Sequence, residues 1–371
     1  VKPILVVFGT RPEAIKMLPV VKALRPRPSL RPLVVVTGQH REMLDQVFAA
    51  FDERPDIDLE LMSAGQSLTD ITVRVLARMA EVLQEHQPSI VLVHGDTTTA
   101  MATALAAFYA RIPVGHVEAG LRSHDLQRPW PEEYNRISVD AVADFLFAPT
   151  ETSAENLRRE SPRERTIAVT GNTGIDALLY MAARVDGASL DGLEVRPSPD
   201  KKLVLVTGHR RESFGDGFDR ICEGISRIAE HPAVEVIYPV HLNPQVKTVV
   251  TERLSGRPNV HLIPPVGYVQ MVALMKQAHV ILTDSGGIQE EGPALGKPVL
   301  VMREVTERPE ALSTGVVSLV GTDPDLIVSE VFRLLDDQAY YASRARAVFP
   351  YGDGTAAAQI VDIVQAYARG L

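Results

Sequence analysis

LVLVTGHRRESFG, residues 203–215, runs from four apolar residues into a glycine, a histidine, two arginines and a glutamate. The apolar run reads as a buried strand, and the polar cluster as its carboxyl end. ILVVFGTRPE (4–13) has the same design near the start of the chain. Gly9 falls on Gly208, Arg11 on Arg210 and Glu13 on Glu212. Two matching openings predict two copies of one kind of fold. Ligands of open α/β sheets bind at the carboxyl ends of such strands, which makes Arg11 and Arg210 candidate ligand contacts. A solvated loop charge is the alternative for either.

Outward from these openings the pattern repeats. Strand-like runs at 33–37, 90–94, 113–117, 145–148 and 167–170 follow the first, and runs at 234–240, 260–264, 280–284, 298–302 and 317–321 follow the second. Helical periodicity lies between them. In 97–112, Met101, Leu105, Phe108 and Ile112 recur at helical spacing, with Asp96 and Thr97 placed to cap. Strands alternating with helices predict parallel sheets covered on both faces. The stretch from about 184 to 202 is rich in Asp, Gly, Ser and Pro and reads as the connection between the halves. The expected fold class is therefore α/β, with two doubly wound Rossmann-like domains facing a central cleft.

Bulk properties narrow the function. The length, 371 residues, suits about two domains. No run approaches the ~18 apolar residues of a membrane span, and VKPILVVFGT lacks the zones of a signal peptide. A lone cysteine, Cys222, cannot form an internal disulfide and fits a reducing cytoplasm. Net charge is −9, from 38 basic and 47 acidic side chains, which argues against a general nucleic-acid surface. A small anionic ligand stays open. The ten histidines form no HExxH or Cys/His cluster, so no metal is expected.

TDSGGIQEEG (283–292) carries the clearest ligand signal. Ser285, Gly286 and Gly287 fall where a strand passes into a helix, and free N–H groups there favour phosphate oxygens. Glu290 or Glu291, about a turn on, suits ribose hydroxyls. Simple capping is the alternative. FGTRPEAIK (8–16) is the matching turn of the first half. It is not GxGxxG, so dinucleotide binding loses its main support. Arg11 and Lys16 are its cations. VHGDTTTA (93–100) and GHVEAGLRS (115–123) bring Asp96 and Glu118 to successive strand ends, and WPEEYNR (130–136) adds Glu132, Glu133 and Arg136. Gathered carboxylates are candidates for acid–base work. A cap for Asp96 and an ion pair with an arginine for Glu118 are the alternatives. Arg308 precedes Pro309 at a helix start, and His241 sits at another strand end.

FGTRPEAIK, HGDTTTA, GHVEAGLR, PEEYNR, TGN, TGHRRES, PVHLNP, TDSGGIQEE, TERPEA and PYGDG, in this order and end to end, resemble the bacterial non-hydrolysing UDP-N-acetylglucosamine 2-epimerases. The resemblance implies a fold of the glycosyltransferase-B type, a homodimer, and interconversion of UDP-GlcNAc and UDP-ManNAc without NAD or an obligatory metal. It implies a first domain over 1–170, a UDP-binding domain over 171–354, and a last helix, about 355–371, crossing back to the first. By resemblance, Arg11, Lys16, Ser285, Gly286, Gly287, Glu291 and Arg308 bind UDP, and Asp96, Glu118, Glu132 and His209 act on the sugar. Gln39, Arg210 and His241 match the lining of a second, activating UDP-GlcNAc site in some relatives. Gly65 lies near a position that is basic in some relatives, which puts that activation in doubt. Met271 stands where an aromatic side chain can face uracil; methionine is soft enough to pack on a base. A hydrolysing epimerase releasing ManNAc and UDP is an alternative, and so, on fold alone, is a retaining glycosyltransferase.

Overall fold

The structure is a computed structural model that describes residues 1–38, 41–61, 63, 65–160, 164–208, 215–306 and 308–370. His209, Arg210 and Gln39, which the sequence singles out, lie outside the described residues. The chain divides into two compact units, Val1–Ala177 with Tyr351–Leu371, and Leu178–Pro350.

The first unit alternates β1 (Pro3–Phe8), α1 (Arg11–Leu24), β2 (Arg31–Val36), α2 (Arg41–Ala50), β3 (Ile57–Asp58), α3 (Leu68–His86), β4 (Ile90–His94), α4 (Thr98–Tyr109), β5 (Val114–Val117), α5 (Glu132–Val142), β6 (Phe145–Ala148), α6 (Glu151–Glu160) and β7 (Thr166–Val169). α7 (Thr173–Ala182) carries the chain across the unit boundary. The described strands form one parallel sheet in the order β3-β2-β1-β4-β5-β6-β7. β1 and β4 are buried along their whole length, as unalternating apolar runs require. The order reverses between β1 and β4, so the loops that follow them diverge and leave a crevice.

α4 corrects one expectation. Phe108, on the apolar stripe read from the sequence, is exposed, and Met101, Leu105 and Ile112 are only half-buried. The buried residues are Thr99, Ala100, Ala102, Thr103, Ala104, Ala106 and Ala107. Small side chains let this helix sit close on the sheet, while Met101 and Ile112 pack on the same core only in part and Phe108 faces solvent. Its cap is Thr97, whose hydroxyl accepts from Ala100 N at 3.0 Å; Asp96 is left out of the cap.

The second unit alternates β8 (Lys202–Thr207), α8 (Asp216–Ile228), β9 (Val234–Pro239), α9 (Pro244–Leu254), β10 (Val260–Ile263), α10 (Tyr268–Gln277), β11 (Val280–Thr283), α11 (Gly286–Ala294), β12 (Val299–Val301), α12 (Pro309–Ser313) and β13 (Val317–Leu319), then α13 (Pro324–Asp336) and α14 (Gln338–Arg344). The described strands make a parallel sheet in the order β10-β9-β8-β11-β12-β13, with its reversal between β8 and β11. Phe218, Ile221, Cys222, Ile225 and Ile228 form the buried face of α8. Burial pushes the Cys222 thiol up to about 12, so it behaves as core filling.

α15 (Ala356–Arg369) belongs to the first unit and packs on α1. Arg27 holds it, through Asp362 at 2.7 Å and Gln365 at 2.8 Å. At its start Ala357 N donates to Asp176 Oδ1 at 2.8 Å. Burial, with Asp353 adding to it, pushes the Asp176 carboxyl up to about 6 against the pull of these backbone bonds. The folded state therefore holds this proton more tightly than the unfolded chain does. Stability is expected to fall as pH rises from about 4 to about 6, by about 1–3 kcal/mol, and to stay lower above that. Urea unfolding of Asp176→Asn across pH 4–8 checks this. The variant is expected to lose that slope, and an unchanged slope rules the attribution out.

Candidate active site

At the crevice of the first unit the turn after β1 is built around Glu13. Thr10 caps α1, and Glu13 closes the capping box. Glu13 is buried. Its Oε2 accepts from Gly9 N at 3.1 Å and Thr10 N at 2.8 Å, and its Oε1 accepts from the Thr97 hydroxyl at 2.7 Å. One carboxylate thus joins the turn after β1 to the turn after β4. Arg11 opens α1, at the positive end of the helix dipole, and burial pushes its guanidinium pKa down. Both effects oppose its charge, and an anion at this crevice relieves both.

β4 and β5 pair with His94 opposite Val117, so Asp96 and Glu118 follow adjacent strand ends. Gly95 N donates to Val117 O at 2.9 Å, and a Cβ built on Gly95 would lie 4.0 Å from Glu118 Oε1. Glu118 stands in the left-handed region at φ 67, a conformation a non-glycine residue adopts at a cost. Its carboxylate pairs with the Lys16 ammonium, and its Oε2 is 3.7 Å from His94 Nε2. Burial opposes the charge, but Lys16 and then His94 hold the carboxyl well below the usual range. The partner the sequence suggested for Glu118 was an arginine; the structure supplies a lysine.

Asp96 is held from α5. Arg136 pairs with its carboxylate, and Asn135 Nδ2 donates to its main-chain carbonyl at 2.9 Å. Arg136 is steadied in turn by Glu133 at 3.2 Å. Glu133, fully buried, accepts from Ser123 N and His124 N, both at 2.9 Å. Glu132 starts α5, half-buried, with no side-chain hydrogen bond or ion pair among the described residues. The first unit thus brings Lys16, Asp96 and Glu118 to one sheet edge, with Glu132 on the helix that secures Asp96.

In the second unit, Ser285 precedes α11 without capping it through its side chain. The first helical bond recorded runs from Gln289 N to Ser285 O at 3.3 Å, so the N–H groups of residues 286–288 precede the ladder. Space beside Gly287 is open: a Cβ there meets no atom within 4 Å. The turn is braced from below, where the Thr207 and Thr283 hydroxyls lie 2.6 Å apart and Ser285 N donates to Thr283 Oγ1 at 2.9 Å. N–H groups so placed, at the positive end of a helix dipole, are of the kind that favours anions. Of the two glutamates that follow, Glu290 is buried and paired with Arg308. Glu291 is half-buried on the same helix, and its charge is felt by the buried Tyr268 hydroxyl, whose pKa burial raises first. His241 is exposed after β9, and its Nδ1 accepts from Asn243 N at 3.1 Å.

The sequence reading passed over Glu13 as a tie between turns, and over His94, His116, Asn135 and Asp140 altogether. All five are buried, and of them only His94, closing the apolar run IVLV, carried a signal in the sequence. Among the described residues no group of three or more His, Cys, Asp or Glu is placed to hold a metal ion. No helix among them is long and apolar enough to cross a membrane.

Known proteins share this sequence and fold. The profile of the UDP-N-acetylglucosamine 2-epimerase family matches residues 22–365. A probable UDP-N-acetylglucosamine 2-epimerase of Ralstonia solanacearum is 54% identical over 375 residues, 99% of either chain. The UDP-N-acetylglucosamine 2-epimerase of Escherichia coli strain K12 is 54% identical over 368 residues, 98% of either chain. The crystal structure of UDP-GlcNAc 2-epimerase from Neisseria meningitidis, bound to UDP-GlcNAc, matches with a TM-score of 0.89 and 44% identity, covering 98% of this chain and 100% of that one.

Proposed function

Because the chain belongs to the UDP-N-acetylglucosamine 2-epimerase family, we propose that it interconverts UDP-GlcNAc and UDP-ManNAc by eliminating and re-adding UDP. The observation that carries this reading is the pair of carboxylates at adjacent strand ends, Asp96 and Glu118, with the Lys16 ammonium on Glu118. C2–H of the sugar is not acidified by a carbonyl, so simple deprotonation is unattractive. Breaking the C1–O bond first sends its electron pair to UDP and leaves positive charge at C1. That charge acidifies C2–H, a carboxylate takes the proton, and 2-acetamidoglucal remains beside UDP. A proton delivered to the opposite face of C2, with UDP returning to C1, completes the epimerisation. Such chemistry needs a stabilised leaving group and a base and acid placed in advance.

Ser285, Gly286, Gly287, Glu291 and Arg308 hold UDP in this reading, with Arg11 and Lys16 on its phosphates. Asp96, Glu118, Glu132 and His209 act on the sugar. The unit Leu178–Pro350 is the nucleotide-binding domain, and neither NAD nor a metal takes part. By the resemblance, Gln39, Arg210 and His241 are proposed contacts of a second, activating nucleotide, to be judged by whether UDP-GlcNAc changes the rate with UDP-ManNAc as substrate. In heavy water, deuterium is expected at C2 of both sugars in the recovered pool. An unlabelled pool under active conditions sinks the reading, and free ManNAc in place of UDP-ManNAc replaces it with hydrolysis.

Gly287 separates binding from folding. A methyl group there meets no protein atom, and alanine suits a helix better than glycine by about 1 kcal/mol. Gly287→Ala is expected to melt no lower than the parent yet to bind UDP at least ~10-fold more weakly, since the methyl group occupies the approach to the helix start. Calorimetric titration beside a melting curve checks both, and unchanged UDP affinity takes phosphate away from this turn.

The chain works as a homodimer in the cytoplasm in this reading. Val73 on α3 and Phe108 and Tyr109 on α4 are large apolar side chains left in solvent, beside an apolar groove that includes Leu76, Ala80, Ala106 and Ile112. A second copy would cover them. Sedimentation of the parent and of Phe108→Glu decides this: a parent that sediments as a monomer rules the dimer out.

A further inference from the structure

His116, on β5, is completely buried, and each of its ring nitrogens faces an oxygen. Nδ1 is 2.6 Å from Asp140 Oδ1, and Nε2 is 2.8 Å from the main-chain carbonyl oxygen of Gly95. The carbonyl can only accept. Asp140 is fixed as a carboxylate from its other side. Its Oδ2 takes the Gly120 N–H at 3.2 Å and the Arg122 guanidinium at 2.7 Å. Burial opposes its charge, but His116 and Arg122 hold the carboxyl below its ordinary range. A neutral imidazole carries one proton, so either neutral tautomer would set a bare nitrogen lone pair against an oxygen lone pair at hydrogen-bond distance.

We propose that His116 positions the carboxylates Asp96 and Glu118, one ring nitrogen donating to the Gly95 carbonyl and the other to Asp140. Gly95 immediately precedes Asp96. Asp140 holds Gly120, two residues beyond Glu118. The ring therefore clamps the turns that carry both carboxylates at once. Charges alternate along the chain of contacts: His116, Asp140 of α5, Arg122 of the loop after β5, and Glu160 of α6, 2.7 Å from Arg122 and reaching solvent. Arg165 adds its guanidinium to the main-chain carbonyl of Asp140. With a proton on both ring nitrogens the row balances only when Glu160 is included; without the proton on Nε2 the clamp loses its hold on Gly95. The assignment of Asp96 and Glu118 to the sugar is the proposed function, on which this inference rests.

The test has a spectroscopic and a kinetic arm. In protein labelled with nitrogen-15 in the histidine rings, the His116 signals, identified by their loss in His116→Gln or their movement in Asp140→Asn, are expected to show a proton on both nitrogens at pH 7. One bare nitrogen at pH 7 overturns the proposal. His116→Gln is expected to bind UDP as the parent does while its turnover drops by about 100-fold, the scale of a misplaced reacting group. Parental turnover in that variant overturns it too. Asp140→Asn removes the carboxylate that joins the ring to Gly120, so its turnover is expected to fall as well while UDP binding stays parental. A loss of thermal stability with parental turnover would mean a purely structural role and would refute the clamp. If the parent itself places no deuterium at C2, the epimerase reading fails, and the nitrogen signals still decide the two ring protons on their own.

Discussion

Glutamine at position 118 is expected to lower turnover at least ~100-fold while UDP binding stays nearly intact, the scale of lost acid–base catalysis. The substitution keeps the shape of the side chain and removes only its charge and its basicity. Burial alone would push the Glu118 carboxyl up, and Lys16 and His94 keep it well below its ordinary range. That balance is informative for the reaction proposed. A carboxylate so strongly paired is a poor base. In the proposed reaction a diphosphate drawing on the same Lys16 ammonium would leave Glu118 with less of its counter-charge, and its basicity would rise. Glutamine cannot follow that change. Asp96→Asn is expected to act similarly, because Arg136 and Asn135 set the position of Asp96 and the proposed reaction needs its charge. Initial rates of UDP-ManNAc formation, with UDP titrated by calorimetry, check both variants. Near-normal turnover in both removes the assigned roles. Weak UDP binding together with slow turnover would instead place them at the nucleotide.

The fold was legible because buried parallel strands are written as unbroken apolar runs. ILVVF, IVLVH, LVLVT and VILTD each ended within a residue or two of the observed strand. β3, two residues long at a sheet edge, offers no run to see. On α4 the large apolar residues misled, because the face that meets the sheet is made of alanines and threonines, which carry little hydrophobic signal. At the site, the glycine turn at 285–287 and the strand-end positions of Asp96 and Glu118 followed from local pattern. What stayed hidden was pairing across the chain. Lys16 is 102 residues from Glu118, Glu13 is 84 from Thr97, and Asp140 is 24 from His116. Each contact depends on strand order, which local periodicity does not contain. Glu13, His116 and Asp140, buried against expectation for their type, tie together the turns that carry Asp96 and Glu118.

Gly120→Ala is expected to cost about 2–5 kcal/mol and to take turnover down with it. Gly120 has φ +84, where an L side chain costs about 1–2 kcal/mol. The added methyl group would also lie 2.3 Å from the Ser153 carbonyl oxygen and 2.8 Å from Leu157 Cγ. Leu157 can shift, but the carbonyl belongs to the backbone of α6, so relief means moving a helix; overpacking of this kind costs about 1–3 kcal/mol. The same glycine donates to Asp140 and accepts from Asn156 Nδ2 at 3.0 Å, so moving it loosens the clamp beneath Glu118. Gly287→Ala supplies the contrast, since the same methyl group placed on α11 meets nothing and should leave folding untouched. Urea unfolding of the two variants side by side separates a backbone that needs glycine to fold from one that needs it for ligand approach. If Gly120→Ala unfolded at the parental midpoint, α6 would be free to give way, and a loop resting on so yielding a helix could not hold Glu118 at fixed distance from Asp96.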